Sequence, residues 1–153
     1  LGQIDGTTVA VVGRLEHRNV NALLKGLAMF EGVRVIMVPF SGQVPDDVID
    51  YCQERGLKLE THKEIDAVSE ADAIYLNGPR TVAHMQLLRS RNSGNLRIDE
   101  QFMAMLKPHC VIMDPMQRSG DFSIEVEDQR LAFYRQAENA LYARMAVIRH
   151  LLG

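Results

Sequence analysis

The sequence has few cysteines, no excess of basic residues and no long apolar run, and each shortage excludes a class of protein. Its two cysteines, Cys52 and Cys110, lie far apart within apolar stretches, so we expect buried free thiols and a reducing, cytoplasmic setting. No apolar run approaches the ~20 residues that span a bilayer, and no signal segment opens the chain. With 17 lysines and arginines against 20 acidic residues, the basic surface of a nucleic-acid-binding protein is missing.

Motifs that mark common cofactor and metal sites are also missing. The first apolar run ends in a single glycine, Gly13, and not in the G-x-G-x-x-G turn of dinucleotide-binding folds. The sequence has no G-x-x-x-x-G-K phosphate loop, no G-x-S-x-G nucleophile turn and no Cys/His spacing typical of zinc. We therefore expect neither a cofactor nor a metal ion.

What the sequence does contain is an alternation of apolar strand-like runs and helix-like stripes. We predict strands at 7–13, 33–39, 57–61, 72–77 and 109–114, and helices at about 18–31, 45–56, 64–71, 81–91, 98–106 and 129–152, with a polar loop at 91–95. Strands that alternate with helices indicate right-handed βαβ units. The expected fold class is α/β: a Rossmann-like, doubly wound three-layer sandwich with a five-stranded parallel sheet in the order 3-2-1-4-5. We expect one domain over residues 1–153.

Three polar corners follow the first, fourth and fifth strands, where the carboxyl ends of parallel strands meet and ligands bind in open α/β sheets. These corners are RLEHRN, NGPR and DPMQRSGDF, and they contain Arg14, Arg18, Arg80 and Arg118. An arginine fork suits a carboxylate or a phosphate, and the helix N-terminus beside Arg18 also favours an anion. The corners predict a site for an anionic group, with Glu16 and Asp121 as local partners of the arginines. The structural alternative is that these are solvated surface arginines.

Four stretches resemble, in chain order, the second, amino-acid-binding domain of the aspartate/ornithine carbamoyltransferase family. LGQIDGTTVAVVGRLEHRNVNALLKGLAMFEG is similar to the start of that domain, where the strand is followed by V-G-D-L-x-x-G-R-T-V-H-S-L. DAIYLN resembles a D-x-x-Y strand, and HCVIMDPMQR falls where the family has a strand ending in H-P-L-P-R. FYRQAENALYARMAVIRHLL is similar to the closing Q-A-x-N-G-x-x-x-R-M-A-L helix, the most specific of the four.

The resemblance implies an activity that needs more than this domain. Members of the family transfer a carbamoyl group from carbamoyl phosphate to the amine of aspartate in pyrimidine synthesis, without a metal at the site. Carbamoyl phosphate is held by a preceding domain that this chain lacks, and catalytic trimers share active sites between neighbouring subunits. We therefore expect an aspartate-like amino acid as ligand, carbamoyl phosphate through the missing domain, and a homotrimer of the full-length protein. The start at Leu1, directly before the first strand, agrees with a piece cut from a longer polypeptide.

The same resemblance suggests substrate-binding residues and also shows departures at them. Arg18 matches the family's carboxylate-binding arginine, while Asn21 stands at the position of its histidine. Arg80 is displaced by two positions from the arginine of the family's T-R-x-Q segment, and Arg118 ends the altered H-P-L-P-R segment. The predicted substrate-binding residues are these four together with His17. No catalytic residue is expected in this domain.

Two explanations of these departures stay open, and a third assignment stands beside them. The pocket accepts a different amino acid, or it has decayed into a non-catalytic assembly partner of an active paralogue. Gln117 in place of a family proline and Ala140 in place of a family glycine are compatible with either explanation. The third assignment is an unrelated anion-binding α/β module.

The closing helix carries more apolar surface than one sheet needs. Leu141, Met145, Ile148 and Leu152 form one stripe at helical spacing, and Ala140, Val147 and Leu151 add a second apolar edge. We expect two neighbours for this helix: its own sheet and a structure outside the chain. Val147, Ile148 and Leu151 should then be exposed in the chain alone.

Overall fold

The computed structural model describes residues 2–78, 97–115 and 123–153. The predicted helix at 81–91 and the predicted loop at 91–95 lie outside these residues. Within the described ranges the elements are β1 (Thr8–Arg14), α1 (Arg18–Leu27), β2 (Arg34–Ser41), α2 (Asp46–Glu54), β3 (Lys58–Thr61), a 3-10 helix (Ile65–Glu70), β4 (Ala73–Asn77), β5 (Arg97–Ile98), α3 (Glu100–Met105), β6 (Val111–Met113), β7 (Ser123–Ile124) and α4 (Phe133–Leu152).

Five of the described strands form one parallel sheet in the order β3-β2-β1-β4-β6. β1 is its central strand, and Val9 to Gly13 pair with β2 on one side and with β4 on the other. The apolar composition of these strands fits this position, because a parallel strand covered on both faces has no solvent side. The predicted fold class and strand order are confirmed, with β6 as the fifth strand.

Helices cover both faces of the sheet and create two apolar layers. On one face, α1 contributes Val20, Leu24 and Leu27, and α2 contributes Val48 and Cys52. On the other face the 3-10 helix, α3 and the first turn of α4 pack against the alternate side chains of the strands. Both cysteines are buried free thiols, as expected, and burial raises the pKa of Cys110 to about 11, so this thiol is not a reactive one.

Two predicted helix starts were wrong because backbone groups there serve other elements. The helix expected at 98–106 starts at Glu100, since Arg97–Ile98 pairs in parallel with Ser123–Ile124 in a separate two-stranded sheet. The closing helix starts at Phe133 and not at Gln129. Ile112 donates its N–H to the Arg130 carbonyl at 2.8 Å and accepts from Ala132 at 2.8 Å, so this segment runs beside β6 and not in the helix.

The closing helix α4 leaves the body of the domain after its first turns. Phe133 is buried, but every residue from Leu141 onward is exposed. Val147 is 59%, Ile148 56% and Leu151 76% exposed, so the expected apolar surface is uncovered in the chain alone. Among the described helices, α4 included, none has both the length and the apolar character that crossing a membrane requires.

Candidate functional site

The carboxyl ends of β1, β4 and β6 meet where the strand order of the sheet reverses. From β1 the chain builds outward through β2 and β3 on one side, then returns to place β4 and β6 on the other. The crevice at such a reversal is the usual ligand position in open α/β sheets. Arg14, Asn77 and Asp114 end or directly follow these three strands, so the edge predicted from the sequence exists as expected.

Close backbone contact joins the ends of β1 and β4. Gly13 has a φ of 120°, and a Cβ atom at this position would lie 2.1 Å from the carbonyl oxygen of Asn77. The Asn77 side chain is buried, and its Nδ2 donates to the carbonyl oxygen of Arg14 at 2.7 Å. Glycine is therefore needed at this position for a reason unrelated to nucleotide binding: two strand ends approach too closely for a side chain.

The sequence reasoning assigned no role to Asn77, although it is one of two buried polar residues in the described part of the chain. The available signal was a lone amide at the end of the apolar run AIYL. Its partner lies 63 positions away, so the contact depends on how β1 and β4 pair.

An ion pair lies in the polar corner RLEHRN after β1, called the charged corner below. Arg14 donates from Nε to Oε1 of Glu16 at 2.9 Å, which confirms Glu16 as a local arginine partner. The corner is tied to the end of β2, because Leu15 donates its N–H to the carbonyl oxygen of Ser41 at 3.2 Å. Oε2 of Glu16 is enclosed against Gly42 and has no hydrogen-bond partner in the ranges that the structure describes.

Three of the predicted site residues lie at the N-terminus of α1. His17 is the N-cap residue, and its Nδ1 accepts from the N–H of Asn19 at 3.2 Å. Arg18 is the exposed first residue of the helix, and Asn21 lies three positions further, on the same face. Oδ1 of Asn21 is enclosed, and no described residue donates a hydrogen bond to it. The structure thus brings His17, Arg18 and Asn21 together. His17 also caps the N-terminus of α1.

The remaining predicted site residues, Arg80 and Arg118, and the predicted partner Asp121, lie outside the described residues. The strand end that precedes Arg118 is described. Asp114 is only 7% exposed, and it donates its N–H to Oε1 of Gln136 at 2.9 Å. Gln136 lies on α4, so the base of the closing helix is tied to this edge of the sheet. The sequence reasoning did not single out Gln136.

Among the described carboxyl groups, the one whose pKa is shifted furthest, Asp72, lies at the opposite, amino edge of the sheet. Burial of Asp72 would raise its pKa, but Lys107 Nζ at 2.7 Å, the Thr8 N–H at 2.8 Å and His109 Nε2 at 3.0 Å lower it to about 2. These contacts join the start of β1 to the segment before β6. Across the described ranges, no group of three or more His, Cys, Asp or Glu side chains is arranged to hold a metal ion.

Comparison with protein families gives one match over nearly the whole chain. The family described as "Aspartate/ornithine carbamoyltransferase, Asp/Orn binding domain" matches residues 5–151. The chloroplastic aspartate carbamoyltransferase of Oryza sativa subsp. japonica is 30% identical over an alignment of 159 positions. The alignment covers 99% of this chain and 44% of that protein. The aspartate carbamoyltransferase catalytic subunit of Parabacteroides distasonis is 27% identical, with coverages of 99% and 51%.

Solved structures give the same result. Aspartate transcarbamoylase from Trypanosoma cruzi, in complex with carbamoyl aspartate and phosphate, superposes with a TM-score of 0.80 at 26% identity, over 96% of this chain and 49% of that one. The catalytic subunit of M. jannaschii aspartate transcarbamoylase superposes with a TM-score of 0.77 at 22% identity, over 99% and 50%, and supports the fold. The chain therefore spans about half the length of these relatives. An unrelated anion-binding module, the third assignment, is excluded.

Proposed function

This chain belongs to the aspartate/ornithine carbamoyltransferase family through its amino-acid-binding domain, and we propose that it provides that domain in a carbamoyltransferase of pyrimidine biosynthesis. The amine of aspartate or a related amino acid attacks the carbonyl carbon of carbamoyl phosphate. A C–N bond forms, the C–O bond to phosphate breaks, and phosphate leaves as the amine loses a proton. The described residues serve to hold and orient the amino acid.

One observation carries this proposal: Arg18 and Asn21 share a helix face at the point where the strand order reverses. Arg18 is exposed at the helix N-terminus, and the described residues offer it no ion-pair partner. A guanidinium at a helix N-terminus is well suited to a carboxylate, because the fork and the helix amides both favour a negative charge. In this proposal Arg18 binds a carboxylate of the amino acid, and Asn21 lies one turn behind it.

We also propose that carbamoyl phosphate binds to a domain outside these 153 residues and that the active protein is a homotrimer. The uncovered apolar surface of α4 supports a further neighbour, because patches of this kind usually mark interfaces. Arg80 and Arg118 remain proposed substrate-binding residues. His17 also remains a proposed substrate-binding residue, although it caps α1. The cytoplasmic setting stays a prediction, supported by two buried free thiols.

A second candidate function is a non-catalytic assembly partner, and the charged corner is the observation that favours it. Two of its polar side chains are engaged within the domain, since Glu16 pairs with Arg14 and His17 caps α1. A site can lose its chemistry while the fold is kept. The two candidates differ in one measurable respect, which is whether an amino acid binds.

The test is calorimetry on the protein at the full length that its gene encodes, with carbamoyl phosphate added first and candidate amino acids second. Binding of aspartate to the carbamoyl-phosphate complex supports the enzyme, and absence of binding by every amino acid tested supports the assembly partner. The 153-residue chain alone should form no measurable carbamoyl aspartate. Holding both reactants together is worth about 7–11 kcal/mol of the barrier in favourable cases, and a chain that binds one of them forgoes it.

A further inference from the structure

We propose that Arg14 is a specificity-determining residue, whose guanidinium binds the side-chain carboxylate of an acidic amino acid and disfavours ornithine. This inference rests on the proposed function and names the residue that selects between the two ligand types of the family. Aspartate and ornithine differ in the sign of their side-chain charge. A site for aspartate therefore needs a cation where a site for ornithine needs an anion or a neutral acceptor.

Arg14 is held in place at the reversal of the strand order. It ends the central strand β1, and its side chain is 16% exposed. Its carbonyl oxygen accepts from Asn77 at 2.7 Å, and its Nε donates to Glu16 at 2.9 Å. In the described part of the chain the two terminal nitrogens, Nη1 and Nη2, have no hydrogen-bond partner. A guanidinium in this state offers a two-nitrogen edge, which is the edge that carboxylates bind in a bidentate manner.

Glu16 acts through Arg14 and is a positioning residue. Its Oε1 accepts from Arg14, while its Oε2 is enclosed against Gly42, where a Cβ atom would lie only 1.9 Å away. An enclosed oxygen cannot reach a ligand, so the carboxylate of Glu16 serves to fix the direction of the guanidinium. No described residue donates to Oε2, so the hydrogen bond of Oε1 with Arg14 is the contact through which Glu16 acts.

The charges on this edge favour an acidic ligand over a basic one. Arg18 is a second cation at the same corner, and it has no acidic partner among the described residues. The carboxylate of Glu16 lies on the Nε side of Arg14, and its Oε2 is enclosed, so a ligand at the free edge meets the guanidinium and not the carboxylate. An ammonium group brought to the free edge of Arg14 meets like charge, which is unfavourable at the short distances of a binding site.

The experiment measures the affinities for L-aspartate and L-ornithine by calorimetry in the presence of carbamoyl phosphate, on the protein at its full encoded length. Arg14→Gln should weaken aspartate binding about tenfold or more, the scale of a charge-assisted hydrogen bond, and should lower the ratio of aspartate to ornithine affinity by a similar factor. Arg14→Lys keeps the charge without the fork, so it should lose affinity while still preferring aspartate. Arg55→Gln removes an exposed arginine that lies over Tyr51, and it should change neither value.

A second pair of variants tests the positioning role of Glu16. Glu16→Ala should lower aspartate affinity, whereas Glu16→Gln should restore most of it, because an amide oxygen can still accept from Arg14 Nε. Thermal unfolding of each variant is measured in parallel. A purely structural residue would change the unfolding temperature without changing the aspartate-to-ornithine ratio, and this result would overturn the role of Glu16.

The outcomes separate this inference from the proposed function. Equal aspartate affinities of wild type and Arg14→Gln, or an unchanged aspartate-to-ornithine ratio, overturn the role of Arg14 and leave the proposed function standing. Failure of the wild-type protein to bind either amino acid overturns both. If Arg14→Gln does not fold, Arg14→Lys decides, since a preference for ornithine in that variant would contradict a charge-based selection.

Discussion

The two edges of the parallel sheet differ in how fully their polar side chains are hydrogen-bonded. At the amino edge, Asp72 accepts hydrogen bonds from three donors, and its pKa falls to about 2. At the carboxyl edge, Oε2 of Glu16 and Oδ1 of Asn21 are enclosed without a donor from any described residue. The amino edge is organised for stability, whereas two enclosed oxygens at the carboxyl edge receive no hydrogen bond from the described residues. A shifted pKa alone would have pointed to the amino edge, away from the proposed site.

Gly13→Ala is the substitution at the carboxyl edge that should lower the free energy of unfolding most. A methyl group there would lie 2.1 Å from the carbonyl oxygen of Asn77, on a backbone with a φ of 120°. Strain at such a φ and overpacking each cost about 1–3 kcal/mol, so unfolding by denaturant should show a loss of about 2–6 kcal/mol. The control is Gly26→Ala in α1, where a Cβ atom meets nothing within 4 Å and helix propensity should raise stability by about 0.5–1 kcal/mol. A Gly13→Ala protein as stable as the wild type would refute the close approach.

Asp72→Asn tests whether the contacts of Asp72 at the amino edge stabilise the fold. The pKa of Asp72 is below its ordinary value in the folded chain, so its contribution is present above about pH 4 and is lost as the pH falls towards 2. A change from 3.8 to about 2 corresponds to about 2 kcal/mol at neutral pH. Unfolding by denaturant at pH 7 and at pH 2 should show the variant weaker at the higher pH and close to wild type at the lower one. Ligand binding should not change, and a variant that loses aspartate affinity would contradict the division between the edges.

The sequence predicted the sheet well because its signal is local. The buried runs in β1, β2 and β4 and the apolar stripe of α1 are recognisable within a few residues, and their alternation indicates a doubly wound parallel sheet. Arg14 and Glu16 are two positions apart, so their pairing was also foreseeable. The contact of Asn77 with Arg14 spans 63 positions, and strands β5 and β7 have two residues each, too few for a periodic pattern.

Arg18→Ala tests whether a residue at the carboxyl edge contributes to ligand binding and not to stability. The residue is exposed and has no partner among the described residues, so its loss should leave the unfolding free energy nearly unchanged. Calorimetry on the full-length protein should show amino-acid binding weakened by about 1.5–3 kcal/mol, with carbamoyl-phosphate binding little affected. Lys63→Ala, at another exposed cation, is the matched control. Equal affinities in wild type and Arg18→Ala would remove Arg18 from the site.

The smallest effect expected in the 153-residue chain concerns α4, whose distal half belongs to neither edge. Ile148 and Leu151 are 56% and 76% exposed, so Ile148→Lys combined with Leu151→Lys should change the unfolding free energy of the 153-residue chain by no more than about 0.5 kcal/mol per position. Sedimentation should show less self-association than in the wild-type chain, because an apolar patch has been removed.

The full-length protein should respond differently to the same two substitutions. If another domain covers this surface there, each position loses buried apolar area worth about 1.5–3 kcal/mol, and unfolding should reveal it. Arg149→Ala on the same helix controls for changes in helix propensity. A double variant that destabilises the 153-residue chain as much as the full-length protein would mean that α4 packs against its own domain. In that case the apolar surface of the helix would carry no information about a neighbour.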